Sequence, residues 1–135
     1  MYENQNISEV SRHMARVIGI GQQDFADIRR ENLFYIDKTP FIKEWWENRD
    51  SVTLITRPRR FGKTLTMSML EHFFSIKYKD EAEFFAGLDI WKEESYRQMQ
   101  GTWPVISLSF ANVKEPTYEM AKRRICQLLT DVYNK

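Results

Sequence analysis

Cysteine and histidine are scarce in this 135-residue sequence, which has one cysteine, Cys126, and two histidines, His13 and His72. A lone cysteine closes no internal disulfide, which agrees with a reducing, cytoplasmic setting. Flanked by Ile125 and Leu128, it reads as a packed apolar residue on a helix. Two histidines far apart in sequence argue against a structural zinc site. Glycine and proline are also sparse, at five and four residues, and no repeat, low-complexity tract or clear linker appears. Charge of one sign is missing: twenty basic residues face nineteen acidic ones, for a net charge of +1. The balance therefore demands neither nucleic acid nor an anionic membrane as partner. No apolar run approaches a membrane span, and Met1 to Asn6 lack the basic start and apolar core of a signal peptide.

What is present is enough for one domain with a core, since 42% of residues are hydrophobic and 14% aromatic. The most informative stretch runs from Thr53 to Leu65. A short β-rich segment, Val52 to Thr56, enters the basic loop Arg57-Pro58-Arg59-Arg60-Phe61 and ends in Gly62-Lys63-Thr64. Beyond it Leu65, Met69, Phe73 and Ile76 recur at helical spacing, with Leu70 and Phe74 beside them, and read as core positions. Strand, loop and helix in that order form the layout of a phosphate-binding P-loop. In such a loop backbone N–H groups wrap a polyphosphate, Lys63 reaches the outer phosphates, and the Thr64 hydroxyl is placed to hold Mg²⁺. The generic pattern has a glycine five residues before Gly62, where this chain has Arg57. Read blandly, Arg57 to Arg60 is a solvated basic turn, a processing site or a nuclear-localisation fragment.

The segment RPRRFGKTLTMSMLEHFF is very similar to the signature of the bacterial AAA-ATPase-like proteins, whose loop also starts Arg-Pro-Arg-Arg-Phe-Gly-Lys. The resemblance extends upstream to Ile20–Phe25 and Tyr35–Thr39, and downstream to Phe84–Leu88 and Trp103–Phe110, so it spans about residues 18–112. It implies an ATP-binding domain with a variant Walker A loop, in which Arg57 is ordinary. ATP and Mg²⁺ are the implied cofactors, with Arg59, Arg60, Phe61, Gly62, Lys63, Thr64 and Leu65 as the nucleotide-binding set and Thr64 as the metal ligand. Many members carry a nuclease-like C-terminal region, which these residues do not contain.

Along the chain, residues 1–17 read as a polar leader and 18–135 as the N-terminal part of the ATPase-like domain. Gln23 to Arg30 suits a short helix, and Phe34-Tyr35-Ile36 a short strand. Thr39 is expected to cap a helix with Pro40 at its first position, ending near Asn48. The helix after the loop is expected to reach about Tyr78. Two short helices follow between 80 and 100, then a second core strand over Trp103 to Phe110, and a last helix from Pro116. Two strands joined by a helical crossover predict a parallel pair. The expected fold class is therefore α/β, a three-layer P-loop NTPase-like parallel sheet flanked by helices.

That sheet looks incomplete, because P-loop sheets have about five strands. Its second strand also closes on Ser109-Phe110-Ala111-Asn112, with no Walker B carboxylate. A truncated domain that binds nucleotide without hydrolysing it alone, and that self-associates through its exposed edge, is the expectation. The alternative is a non-catalytic interaction or nucleic-acid-binding module in which Arg57, Arg59 and Arg60 hold a phosphate backbone. Asp37-Lys38 is either nucleotide-proximal or an ordinary helix-entry pair. Glu93-Glu94 and Asp80-Glu81 read as solvated helix ends. Trp45-Trp46 reads as packing rather than base stacking. Phe34 and Tyr35 are candidates to border the adenine.

Overall fold

Asp24 starts the first helix by local chemistry: its extended backbone lets the carboxylate accept the Asp27 amide at 3.1 Å. A computed structural model of the chain describes residues 16–134, and the rest of the expected leader lies outside them. Helix α1 spans Phe25–Arg30, with Arg29 and Arg30 in the last turn, where cations suit the helix dipole. Helix α2 spans Pro40–Asn48, α3 Lys63–Phe74, α4 Glu94–Met99 and α5 Tyr118–Tyr133. Three short 3₁₀ turns, Ile76–Tyr78, Ala82–Phe85 and Asp89–Lys92, link α3 to α4.

The spacing of α3 builds the core. Met69 and Phe73, one turn apart, are fully buried, and Leu65 packs against the same cluster. From α1, Phe25 stacks on Phe85 with ring centroids 4.9 Å apart, and Phe73 meets Phe85 edge-on at 5.2 Å. Ile42 of α2, Leu88, Ile90 and Tyr96 complete the cluster. Trp45 and Trp46 pack as the sequence suggests, both against Phe74, with Trp46 also reaching Trp103. Ile76 departs from its expected core role. It lies beyond the end of α3 at Phe74, on the following 3₁₀ turn, and is half exposed.

The expected parallel sheet is not found. Among the described residues no strand forms, and the pairing observed is one isolated parallel bridge, Ser75 with Trp103. Residues 52–58 and 104–110 carry no regular secondary structure and form no bridge within the described chain. Val52 and Leu54 are 87% and 83% exposed, and Val105, Ile106, Leu108 and Phe110 are also exposed. The three-layer α/β assignment is therefore corrected to a helical core with irregular arms. β-branched and aromatic residues favour extended backbone, but a strand also requires a neighbour for its N–H and C=O groups. Phe34-Tyr35-Ile36 likewise forms no strand.

Three local expectations change too. Thr39 is helical in backbone and makes no side-chain cap; its hydroxyl donates to the Asp37 carboxylate at 2.6 Å and accepts the Ile90 amide at 3.2 Å. Glu81 is no solvated end, because its carboxylate meets Nδ1 of the buried His72 at 2.7 Å. Cys126 is exposed, since α5 buries none of its residues against the core. Its start at Thr117, whose hydroxyl accepts the Met120 amide, agrees with the sequence to within a residue or two.

Gly101 closes the chain behind α4. Its φ is +68°, and a Cβ there would lie 2.4 Å from the Lys79 backbone, so glycine alone fits. This lets Gly101 donate to the Phe73 carbonyl and Trp103 to that of Phe74, tying the end of α3 to the following segment.

Candidate functional site

The loop leading into α3 turns on two residues with positive φ, Arg60 at +68° and Gly62 at +74°. Gly62 is the N-cap of α3 and supplies no side chain, so the first amides of the helix have no side-chain cap. Uncapped amides and the positive end of the helix dipole together favour an anion. The loop geometry closes behind them: the Gly62 carbonyl accepts both the Thr66 amide and its hydroxyl at 2.9 Å.

Lys63, the first helical residue, folds its ammonium back over the loop. It donates to the carbonyls of Arg57 and Pro58, the latter at 3.0 Å. Those carbonyls belong to the first two residues of the basic loop, directly after the segment that the sequence read as a strand. The cation thus sits across the mouth of the loop, between the arm and the helix.

A cleft of about 320 Å³ opens beside it, with walls that include Asp37, Lys38, Phe41, Glu44, Phe61 and Lys63. One wall is the loop and the other is the start of α2. Pro40, Phe41 and Glu44 share one helical face, while Ile42 on another face is buried in the core. A separate cleft of about 330 Å³ lies at Trp45, Trp46, Arg49 and Asp50, at the far end of α2. It holds one arginine and one carboxylate and none of the loop residues.

The tract before α2 is braced from several sides. Asp37 accepts the Thr39 amide at 2.8 Å with one carboxylate oxygen and the Asp89 amide at 2.8 Å with the other. The Tyr35 hydroxyl accepts the Lys38 amide and donates to the Met69 sulfur at 3.3 Å, with its ring edge-on to Phe25. Burial pushes the Tyr35 hydroxyl up to about 12. Tyr35 is thus committed to the core rather than to bordering a base, whereas Phe34 is half exposed.

Of the expected binding set, Phe61 and Lys63 line the cleft, Phe61 is 63% exposed, and Gly62 lies between them as the N-cap of α3. Thr64 is exposed on the first turn of α3. Arg59 and Arg60 are exposed on the turn outside the cleft walls. Leu65 turns its side chain to the core and leaves only its backbone at the site. The residues that sequence reasoning missed are Phe41, Glu44, Ile55 and Thr66. The signal for the first two was present in the spacing of 40, 41 and 44 on a helix starting at a proline.

The cleft brings together three cations, Lys38, Arg57 and Lys63, and two carboxylates, Asp37 and Glu44, beside the uncapped start of α3. For Mg²⁺ the loop offers the Thr64 hydroxyl. Among the described residues no group of three or more His, Cys, Asp or Glu side chains stands ready to hold a metal by itself. A magnesium ion bound here would rest on Thr64 and on phosphate oxygens.

The profile of the AAA-ATPase-like family, described as a predicted AAA-ATPase, matches residues 19–135. An uncharacterized protein in the vnfD 5′ region of Azotobacter chroococcum mcd 1 is 30% identical over 112 residues, 82% of this chain. The chain spans 20% of that relative's length. No solved structure matches. No described helix is long and apolar enough to cross a membrane.

Proposed function

We propose that this chain, which belongs to the AAA-ATPase-like family, binds the phosphates of ATP, with Mg²⁺, at the loop of residues 57–65. The observation that carries the reading is the Lys63 ammonium, held over the loop mouth beside the uncapped start of α3. Its present acceptors are neutral carbonyls. Phosphate oxygens would replace them with charge-assisted hydrogen bonds, which are roughly twice as strong. Thr64, one residue on, offers its hydroxyl to the magnesium ion, and Phe61 presents an exposed ring to the rest of the ligand. The chemistry supplied by bound Mg²⁺ is neutralisation of phosphate charge.

The proposal stops at binding. Asp37 accepts the Thr39 amide and hydroxyl on one oxygen and the Asp89 amide on the other, which braces the tract before α2.

Calorimetry with Mg²⁺-ATP tests the reading. Lys63→Ala should weaken binding by on the order of 1.5–3 kcal/mol. Unchanged affinity in a folded variant would sink it. Binding of a DNA duplex that collapses with added salt, in place of nucleotide binding, would instead favour a phosphate-backbone role for Arg57, Arg59 and Arg60.

A further inference from the structure

Two ammonium groups converge on the loop, and only one belongs to it. Lys38, two residues before α2, donates from Nζ to the Phe61 carbonyl at 3.1 Å. A Cβ built on Gly62 would lie 2.6 Å from that same nitrogen, so Lys38 rests directly on the glycine that caps α3. Residues 61 and 62 are the last before the helix whose amides face the site. The Lys38 ammonium is therefore at the helix mouth from the α2 side, as Lys63 is from the loop side.

Its position is fixed by the bracing around it. Asp37, the nearest carboxylate in sequence, is turned to Thr39 and Asp89 rather than to Lys38. Among the described residues, neither Lys38 nor Lys63 takes part in an ion pair. An ammonium carries three donors, and Lys38 uses one on Phe61 while Lys63 uses two on Arg57 and Pro58. Lys38, Arg57 and Lys63 line one cleft together with the carboxylates Asp37 and Glu44, and an anionic ligand in it would meet ammonium groups from two segments of the chain.

We infer that Lys38 is a second phosphate-binding cation of this site, supplied by the tract before α2 and acting with Lys63 on the polyphosphate. The inference rests on the proposed nucleotide site. It assigns to the Asp37-Lys38-Thr39 tract a division of labour: Asp37 and Thr39 fix the backbone, and Lys38 reaches the ligand.

The test is calorimetry of the purified chain with Mg²⁺-ATP, using Lys38→Gln, Lys38→Arg and Lys63→Ala, each checked for folding by circular dichroism. Glutamine keeps a donor for the Phe61 carbonyl but removes the charge. Lys38→Gln should weaken binding about tenfold and make it less sensitive to salt, while Lys38→Arg stays within about threefold of the parent. If Lys38→Gln binds like the parent while Lys63→Ala does not, Lys38 is only a backbone staple and the inference falls alone. If glutamine and arginine weaken binding equally, shape rather than charge matters and the inference also falls. If the parent chain binds no nucleotide, the site reading fails and takes this inference with it. A Lys38→Gln chain that does not fold makes Lys38 a structural residue and likewise overturns the inference.

Discussion

Lys38 and Gly62 stand in an unusually close relation: the side-chain nitrogen of one occupies the space where a Cβ on the other would go. The glycine is needed for its φ of +74°, a conformation that side chains resist, while the lysine tip would have to move aside for a Cβ. Gly62→Ala should therefore cost about 1 kcal/mol of stability from the backbone alone. It should also push Lys38 off the loop and weaken Mg²⁺-ATP binding beyond what that cost explains. Denaturant unfolding and calorimetry on the same preparation check both. A variant with parental affinity would show that the close approach does not matter for binding.

Gly101 presents a harder constraint, because the atom in the way is Lys79 Cα, part of the main chain. A flexible lysine tip moves aside, whereas a backbone atom does not. Gly101→Ala should lower unfolding free energy by about 2–4 kcal/mol, combining left-handed strain with overpacking. Nucleotide binding at the distant loop should survive wherever the variant remains folded. A thermal melt indistinguishable from the parent would refute the close contact.

Tyr35 links stability to alkaline pH. Its hydroxyl ionises near 10 when unfolded, and burial raises this to about 12 in the folded chain. Between those values the unfolded chain gives up the proton and the folded chain keeps it, so stability falls as pH rises through this window. The loss should be on the order of 2 kcal/mol from pH 10 to 12. It should be absent in Tyr35→Phe, and below pH 9 the tyrosine should contribute no slope. Denaturation at several alkaline pH values would show it. The same slope in Tyr35→Phe would assign it to another group.

Leu54 separates the observed structure from the expected sheet. In a buried P-loop strand, Leu54→Ser would cost at least about 2 kcal/mol. On an arm where Leu54 is 83% exposed, the change should stay within about 0.5 kcal/mol. Phe85→Ala supplies the contrast. Fully buried between Phe25 and Phe73, Phe85 should cost about 3–5 kcal/mol when truncated. Equal losses at Leu54 and Phe85 would restore the strand.

By itself the sequence determined what depends on neighbours along the chain. Asp24 ahead of a short helix, Pro40 at a helix start and the Met69–Phe73 stripe of α3 are all local, set by capping geometry and helical period. So is the uncapped glycine before Lys63, and with it the candidate phosphate site. Tertiary structure decided what needs a partner distant in sequence. Val52 to Thr56 and Trp103 to Phe110 carry strand-forming residues, yet whether such residues pair depends on what lies beside them, and among the described residues only Trp103 finds a bridge partner, Ser75. The role of Thr39 turned on Asp37 and on Ile90, fifty-one residues away, rather than on its own helix. Lys38 came to the loop for the same reason: a bond to Phe61 across twenty-three residues follows from how α2 packs, and no periodicity encodes it.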